Sequence, residues 1–177
     1  DATEALSRTL ESVEQISVDA VKSALPFNWE SFSEYLNAIR NVPKGINIAA
    51  FMGHAAARVY VLGDEAIEPE RHPSDKELVE MQQLLSDALD GGALGISTSR
   101  TYTHCAPDGR PIPGTYAEEK ELRSLAEGLG RQGGIFQWAS RFGERDTEGN
   151  PNTKQELDWI AGISRDMNIP VVFSLFT

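Results

Sequence analysis

One cysteine stands in 177 residues, Cys105, and there are three histidines, His54, His72 and His104. A single thiol excludes an intrachain disulfide and a cysteine-based zinc motif, and it fits a reducing, cytoplasmic setting. No HxH, no HExxH and no glycine-rich phosphate loop is present. Gly91-Gly92-Ala93-Leu94-Gly95 precedes an expected strand and does not open a helix, so it is no dinucleotide fingerprint. The most apolar stretch, 46–62, is broken by Gly53, His54 and Arg58, which excludes an ordinary membrane span. No charged start followed by an apolar run marks a signal peptide. Basic residues are the minority: 16 Lys and Arg face 27 Asp and Glu, a net charge of -11. No basic stripe offsets that charge, so nucleic acid is not an expected partner.

What is present has a beat. Four short apolar stretches, 46–52, 93–98, 134–139 and 170–176, are bounded by glycine or polar residues and read as buried strands. Three amphipathic helices lie between them, each preceded by a capping-box pattern: Ser74 with Glu77, Thr115 with Glu118, Thr153 with Glu156. Their expected inward faces are Leu78, Met81, Leu85 and Leu89, then Leu122, Leu125, Ala126 and Leu129, then Leu157, Ile160, Ala161 and Met167. The pattern βαβαβαβ implies four parallel strands alternating with helices, an α/β fold. Half of an eight-stranded barrel and an open doubly wound sheet both satisfy it.

Residues 1–45 carry no strand signal and are expected to be a helical lead-in to a 46–177 core, the whole being one α/β segment. Leu6, Leu10, Val13 and Ile16 suggest one helix. Ser31 with Glu34 caps another, with Phe32, Tyr35, Leu36 and Ile39 inward and Trp29 packed before it. The chain begins at Asp1 and stops after an apolar run. A parallel strand buried on both faces needs neighbours, so an excerpt of a larger protein is expected, against a natural C-terminal edge strand.

In parallel α/β folds, chemistry sits at the carboxyl ends of the strands. Those ends carry Gly53-His54 with Arg58 one turn on, then the run from Ser97 to Cys105, then Ser140-Arg141 with Glu144, then Ser174. The second of these loops, about 99–114, is long and polar, and Pro107-Asp108-Gly109 stiffens its tip, as in an active-site wall. Arg100 suits a bidentate carboxylate contact or a local ion pair in this acidic chain. Tyr102 suits an oxyanion hydrogen bond or plain packing. His54 suits an acid, base or ligand, or a partly buried ring bonded to a carbonyl. His104, beside Cys105, is a weak metal candidate. His72 follows Arg71 in a charged linker and is expected to be exposed.

Several phrases together resemble the N-acyl-D-amino-acid deacylases (D-aminoacylases) of the amidohydrolase superfamily. They are Asn28-Trp29-Glu30-Ser31-Phe32-Ser33-Glu34-Tyr35-Leu36, Ile46-Asn47-Ile48-Ala49-Ala50-Phe51-Met52-Gly53-His54 with Arg58, and Ala88-Leu89-Asp90-Gly91-Gly92-Ala93-Leu94-Gly95-Ile96-Ser97-Thr98. Gly133-Gly134-Ile135-Phe136 is similar to the start of the family's next barrel strand. The resemblance implies a (β/α)8 TIM-type barrel, of which this chain would supply about strands three to six. It implies zinc as cofactor and hydrolysis of a linear amide C–N bond, with an N-acyl amino acid as the small-molecule substrate. Tyr102 and His54 would be catalytic; Arg100, Ser99, Arg141 and His104 would bind substrate.

The family's metal-binding histidine at the end of strand five corresponds to Ala139 here, and the one after strand six to Leu175. Arg100 and His104 also depart from the family's usual loop. No metal ligand is thus identified in this chain. The isolated chain is expected to be inactive, with the remainder of the barrel or an oligomer partner required. The alternative is a catalytically inactive α/β scaffold, or a module that binds a small molecule or protein.

Overall fold

The computed structural model describes residues 16–24, 27–106, 108–145 and 148–175. Helix α1 is Val18–Ala24 and α2 is Phe32–Arg40. Strand β1 (Met52–Gly53) runs directly into α3 (His54–Leu62), which a 3₁₀ turn, Gly63–Ile67, closes. Then follow α4 (Asp75–Asp90), β2 (Gly95–Ser99), α5 (Glu119–Gln132), β3 (Ile135–Ala139), α6 (Thr153–Met167) and β4 (Val171–Phe173). Among these no helix is long and apolar enough to cross a membrane. The helix suggested by Leu6, Leu10 and Val13 falls outside the described residues, as do Pro107 and the end of the fourth apolar run.

The four strands are parallel and lie in the order β1-β2-β3-β4. Ile96, Phe136 and Trp138 are fully buried, and they join Met81, Leu85, Leu125, Leu129 and Ile163 in one core. Alternate strand residues, Ser97, Ser99, Gln137 and Ala139, are only partly buried, and Val172 is exposed. A period of two thus separates a face covered by helices from a face that none of the described helices covers. Sequential strand order with helices on one side is the arc of a (β/α) barrel; a doubly wound sheet carries helices on both sides.

The outer strands are shorter than their apolar runs. Of 46–52 only Met52 pairs, with Ile96, and the strand continues to Gly53, which pairs with Ser97. Upstream of β1 the last contact is the Leu94 N–H donating to the Ala50 carbonyl at 2.9 Å, and before it Ile46 and Ile48 are exposed. β4 likewise shortens to three residues, paired on one side by β3.

Two of the four capping boxes form. Ser31 with Glu34 and Ser74 with Glu77 close reciprocally. At α5 the cap is Glu118, without a side-chain bond, and the Thr115 hydroxyl donates to the Ile112 carbonyl at 2.9 Å. At α6 the cap is Asn152, and the Thr153 hydroxyl donates to the Phe142 carbonyl at 2.8 Å. Glu156 is turned into the core instead. The inward face of α6 is therefore Glu156, Ile160, Ile163 and the half-buried Met167, while Leu157 and Ala161 are exposed. The face is rotated by one position because a buried partner for Glu156 outweighs the burial of Leu157.

Gly95 is the tightest backbone contact in the sheet. Its φ is +153°, and a Cβ there would sit 1.9 Å from the Ile135 carbonyl oxygen. Replacing it must displace β3. Gly95→Ala is expected to destabilise the fold by roughly 3 kcal/mol, in the class of core strain, against about 1 kcal/mol for Ser74→Ala at a surface cap. Denaturant titration of both variants checks the order; equal losses would show that β2 and β3 can slide apart cheaply.

Candidate functional site at the strand ends

Two buried ion networks lie beneath the carboxyl ends of the strands, on the helix side. In the first, His54 opens α3 with no exposed surface. Its Nε2 lies 2.8 Å from Glu121 Oε1 and its Nδ1 2.9 Å from Thr98 Oγ1. With Nε2 donating to the carboxylate, Nδ1 accepts the Thr98 hydroxyl proton. Arg58, one helical turn on, donates through Nη1 to both Glu121 oxygens at 2.7 and 2.6 Å, and through Nη2 to the Arg71 carbonyl. Burial works to raise the Glu121 carboxyl, but the hydrogen bonds from His54 and Arg58 and the Arg58 charge outweigh it and hold the carboxyl below its usual range. Gly114 packs on the same imidazole: a Cβ there would stand 3.0 Å from His54 Nδ1.

The second network repeats the device one strand along. Arg100 follows β2 and is 3% exposed, which settles which way it faces. Its Nε donates to Glu156 Oε1 at 2.8 Å, Nη1 donates to the Ala117 carbonyl, and the guanidinium lies 4.8 Å from the Trp159 ring centre. Trp138 Nε1 donates to Glu156 Oε2 at 2.8 Å. Desolvation lowers the Arg100 pKa and Glu156 opposes it; an arginine so paired stays charged.

Two of the sequence candidates lie in these networks. His54 has both nitrogens engaged and its ring buried, so it links β2, α3 and α5. Its second partner is a hydroxyl, not the carbonyl that was the other expectation. Arg100 is a buried ion pair, and a substrate carboxylate would have to displace Glu156.

Above these networks the rim is different. Arg141, two residues past the end of β3, donates through Nε to Glu144 Oε2 at 2.9 Å and through Nη2 to the Tyr102 hydroxyl. Its guanidinium lies over the Tyr102 ring, 4.3 Å from the centre. The other Glu144 oxygen accepts the Tyr102 backbone N–H at 2.7 Å. One carboxylate thus ties the loop after β2 to the loop after β3. Tyr102 packs against Tyr116 with centres 5.6 Å apart, and both rings are open to solvent. Partial burial raises the Tyr102 phenol against the pull of Arg141, so at neutral pH it keeps its own proton to donate. Beside this group, Ser99 Oγ and His104 Nδ1 are 2.7 Å apart, both half-buried. The structure therefore brings Tyr102 and Arg141 together, and Ser99 and His104 together, while the side chains of His54 and Arg100 bond to Glu121 and Glu156 on the helix side.

Metal binding finds no support at this rim. Among the described residues no group of three His, Cys, Asp or Glu could hold an ion. The strand-end positions of the uncovered face are Ser99 and Ala139, in register with each other, and Ser174 follows β4. The residues present do not fit a zinc site. Two buried polar atoms without a partner, Ser140 Oγ and Asn152 Nδ2, lie near this end; one is a hydroxyl and the other an amide N–H donor, neither a zinc ligand of the usual kind. A shallow groove lined by Asp75, Gln82, Lys120 and Arg123 lies between α4 and α5, on the outer helix layer away from the rim.

From the sequence Glu121 was not named, Glu156 was read only as a cap and Glu144 only as a strand-end residue, though a signal for a buried role existed for two of them. Glu121 stands four residues before Leu125 and Glu156 four before Ile160, which places each carboxylate on an apolar stripe. An acid there must find a buried cation. Glu144 carried no such mark.

The first network makes a pH prediction. The Glu121 carboxyl is lowered in the folded state, so its contribution is full above the ordinary carboxylate range and is lost as the pH falls through the lowered value. Melting temperature should drop as pH falls below about 4, and Glu121→Gln should flatten that acid limb. The same variant should cost roughly 3–5 kcal/mol at pH 7, because Arg58 is left buried without its counter-charge. Thermal unfolding from pH 7 to pH 3 checks both; an unchanged acid limb would remove Glu121 from the account.

No protein-family model matches the chain. It is 35% identical over 147 residues to an uncharacterized protein of Mycobacterium tuberculosis, covering 78% of this chain and 23% of that one. It is 29% identical over 157 residues to a D-aminoacylase of Alcaligenes xylosoxydans xylosoxydans, covering 89% of this chain and 28% of that enzyme. Among solved structures, a D-aminoacylase studied for its binuclear metal centre superposes with a TM-score of 0.63 at 31% identity, over 81% of this chain and 26% of the other. An N-acyl-D-glutamate deacylase from Bordetella bronchiseptica, solved with zinc and a phosphonate inhibitor, shares the fold with a TM-score of 0.60. The chain is homologous, in sequence and in fold, to a segment of the D-aminoacylases and N-acyl-D-amino-acid deacylases, and it spans about a quarter of their length.

Proposed function

We propose that the full-length protein hydrolyses the amide C–N bond of an N-acyl-D-amino acid, and that this segment supplies one wall of its active site. The observation that carries the reading is the Arg141 cation, set by Glu144 and stacked on Tyr102, at the carboxyl ends of β2 and β3. Among the described residues Arg141 Nη1 has no hydrogen-bond partner, which leaves a donor for a substrate carboxylate. The Tyr102 hydroxyl accepts from Arg141 and keeps its proton, so it can donate to the acyl oxygen as negative charge develops there. Ser99 and His104 face the same rim. His54 and Arg100 hold it in place from behind. In this reading the chain is one segment of the barrel, with 1–45 as lead-in, and the other strands close the sheet. A zinc ion, if the whole protein uses one, takes its ligands from outside the described residues. The single cysteine fits a cytoplasmic enzyme.

A second reading has one observation in its favour. Ala139 and Ser99 offer no ligand at the strand ends, as in a scaffold that binds small molecules without turning them over. An assay of the full-length protein on N-acetyl-D-amino acids with neutral and acidic side chains separates the two, since binding without turnover selects the scaffold. If the deacylase reading holds, Arg141→Ala should raise KM by roughly 10–100-fold, the worth of a charge-assisted hydrogen bond, with a smaller change in kcat. A KM within twofold of wild type would place the carboxylate elsewhere.

A further inference from the structure

Tyr116 is an exposed ring on a fixed backbone. From 112 to 117 every residue except Tyr116 is buried. The chain on either side of it is tied down: the Thr115 N–H donates to the Ile112 carbonyl at 3.2 Å, and the Ala117 N–H to the Gly114 carbonyl at 3.0 Å. Both buried ion networks reach this stretch. Gly114 packs on the His54 imidazole, and the Ala117 carbonyl accepts from Arg100 Nη1. The ring held between them is 37% exposed. Single apolar side chains at a surface need no account, but Tyr116 touches a second. Among the exposed large hydrophobic side chains of the described residues, Tyr102 and Tyr116 form the one pair in ring contact, with centres 5.6 Å apart and planes at 44°. Arg141 lies over the Tyr102 ring, and among the described residues no such contact joins it to Tyr116. The three side chains therefore stand in the order Arg141, Tyr102, Tyr116: a cation, a phenol hydroxyl and an open ring.

That order matches the order of groups along an N-acyl amino acid. The α-carbon and the amide nitrogen separate its carboxylate from its acyl carbonyl, and the rest of the acyl group lies beyond that carbonyl. With the carboxylate on Arg141 and the acyl oxygen at the Tyr102 hydroxyl, the acyl tail runs on toward Tyr116. The amino-acid side chain branches off earlier, at the α-carbon. We propose that Tyr116 is a specificity-determining residue whose ring receives a large apolar or aromatic acyl tail; the places given to the carboxylate and the carbonyl rest on the reading above. An acetyl methyl leaves most of that ring in water. A bulkier tail removes ring surface from water, and an aromatic one also stacks on it in the tilted geometry that Tyr102 already takes. Tyrosine gives a large contact area at a low cost in conformational freedom, and a backbone pinned on both sides lowers that cost further. Tyr116 takes no part in the bond-breaking step; it selects which acyl group is held.

Calorimetric affinities of the full-length protein for N-acetyl-D-alanine and N-phenylacetyl-D-alanine, measured alongside hydrolysis of both, test this. The phenylacetyl compound should bind roughly fivefold more tightly, within the worth of an aromatic contact. Tyr116→Ala should bring the two affinities to about the same value. Tyr116→Phe keeps the ring without its hydroxyl and should keep the difference. Tyr116→Gln, long but not aromatic, makes the same comparison should the alanine variant fail to fold. Equal affinities in the wild type, or a difference that survives loss of the ring, overturns the proposal. N-acetyl-D-phenylalanine separates acyl tail from side chain. If Tyr116→Ala weakens that compound and spares N-phenylacetyl-D-alanine, the ring serves the side chain and the proposal fails. Hydrolysis without any acyl preference leaves the deacylase reading standing and sinks the role of Tyr116. An acyl preference that needs the ring, without hydrolysis, upholds that role and sinks the deacylase reading.

Discussion

Two glutamates taken out of water at the start of two successive helices hold this chain together. Glu121 in α5 and Glu156 in α6 are 2% and 1% exposed, and each reaches back across the core to a cation set one strand earlier. Burying such a charge costs several kcal/mol, and only a close, fully bonded partner offsets it. The arrangement is therefore selective. A helix that slides by a turn, or a strand that slips by a residue, strands a carboxylate in the core. Apolar burial supplies the bulk of the driving force, while the ion networks decide which helix sits over which strand.

The same networks shape the rim above them. His54, Arg58 and Arg100 are drawn to the helix side and neutralised there, so they lend no free charge to the strand ends. What remains is one ordered ion pair, Arg141 with Glu144, a phenol, and the Ser99–His104 contact. Glu144 ties the two rim loops to each other. Through one carboxylate it sets the Arg141 side chain, the Tyr102 backbone and hence the spacing of two loops.

The sequence made some of this legible. The inward faces of α4 and α5, the caps at Ser31 and Ser74, and the parallel order of four strands follow from period and punctuation. The inward face of α6 did not, since Glu156 displaced Leu157 from it. The strand edges also failed. An apolar run marks where a strand is able to form, whereas pairing needs a neighbour of matching length, and β1 and β4 have a neighbour on one side only. His54 and Arg100 were visible as chemically capable residues at strand ends, but their direction was not.

Fold class, the count of strands and the location of the rim were determined by local information: apolar spacing, glycine punctuation and the polar loops after each strand. Which histidine meets solvent, which arginine is spent on a glutamate, and that Ser99 touches His104 were decided only by the tertiary structure. Strand-end residues alternate between the helix side and the open side, so a one-residue choice of register separates a buried ion pair from a partly exposed side chain. That choice was made by Glu121 and Glu156 seeking partners 63 and 56 residues away, a distance over which periodicity carries no signal.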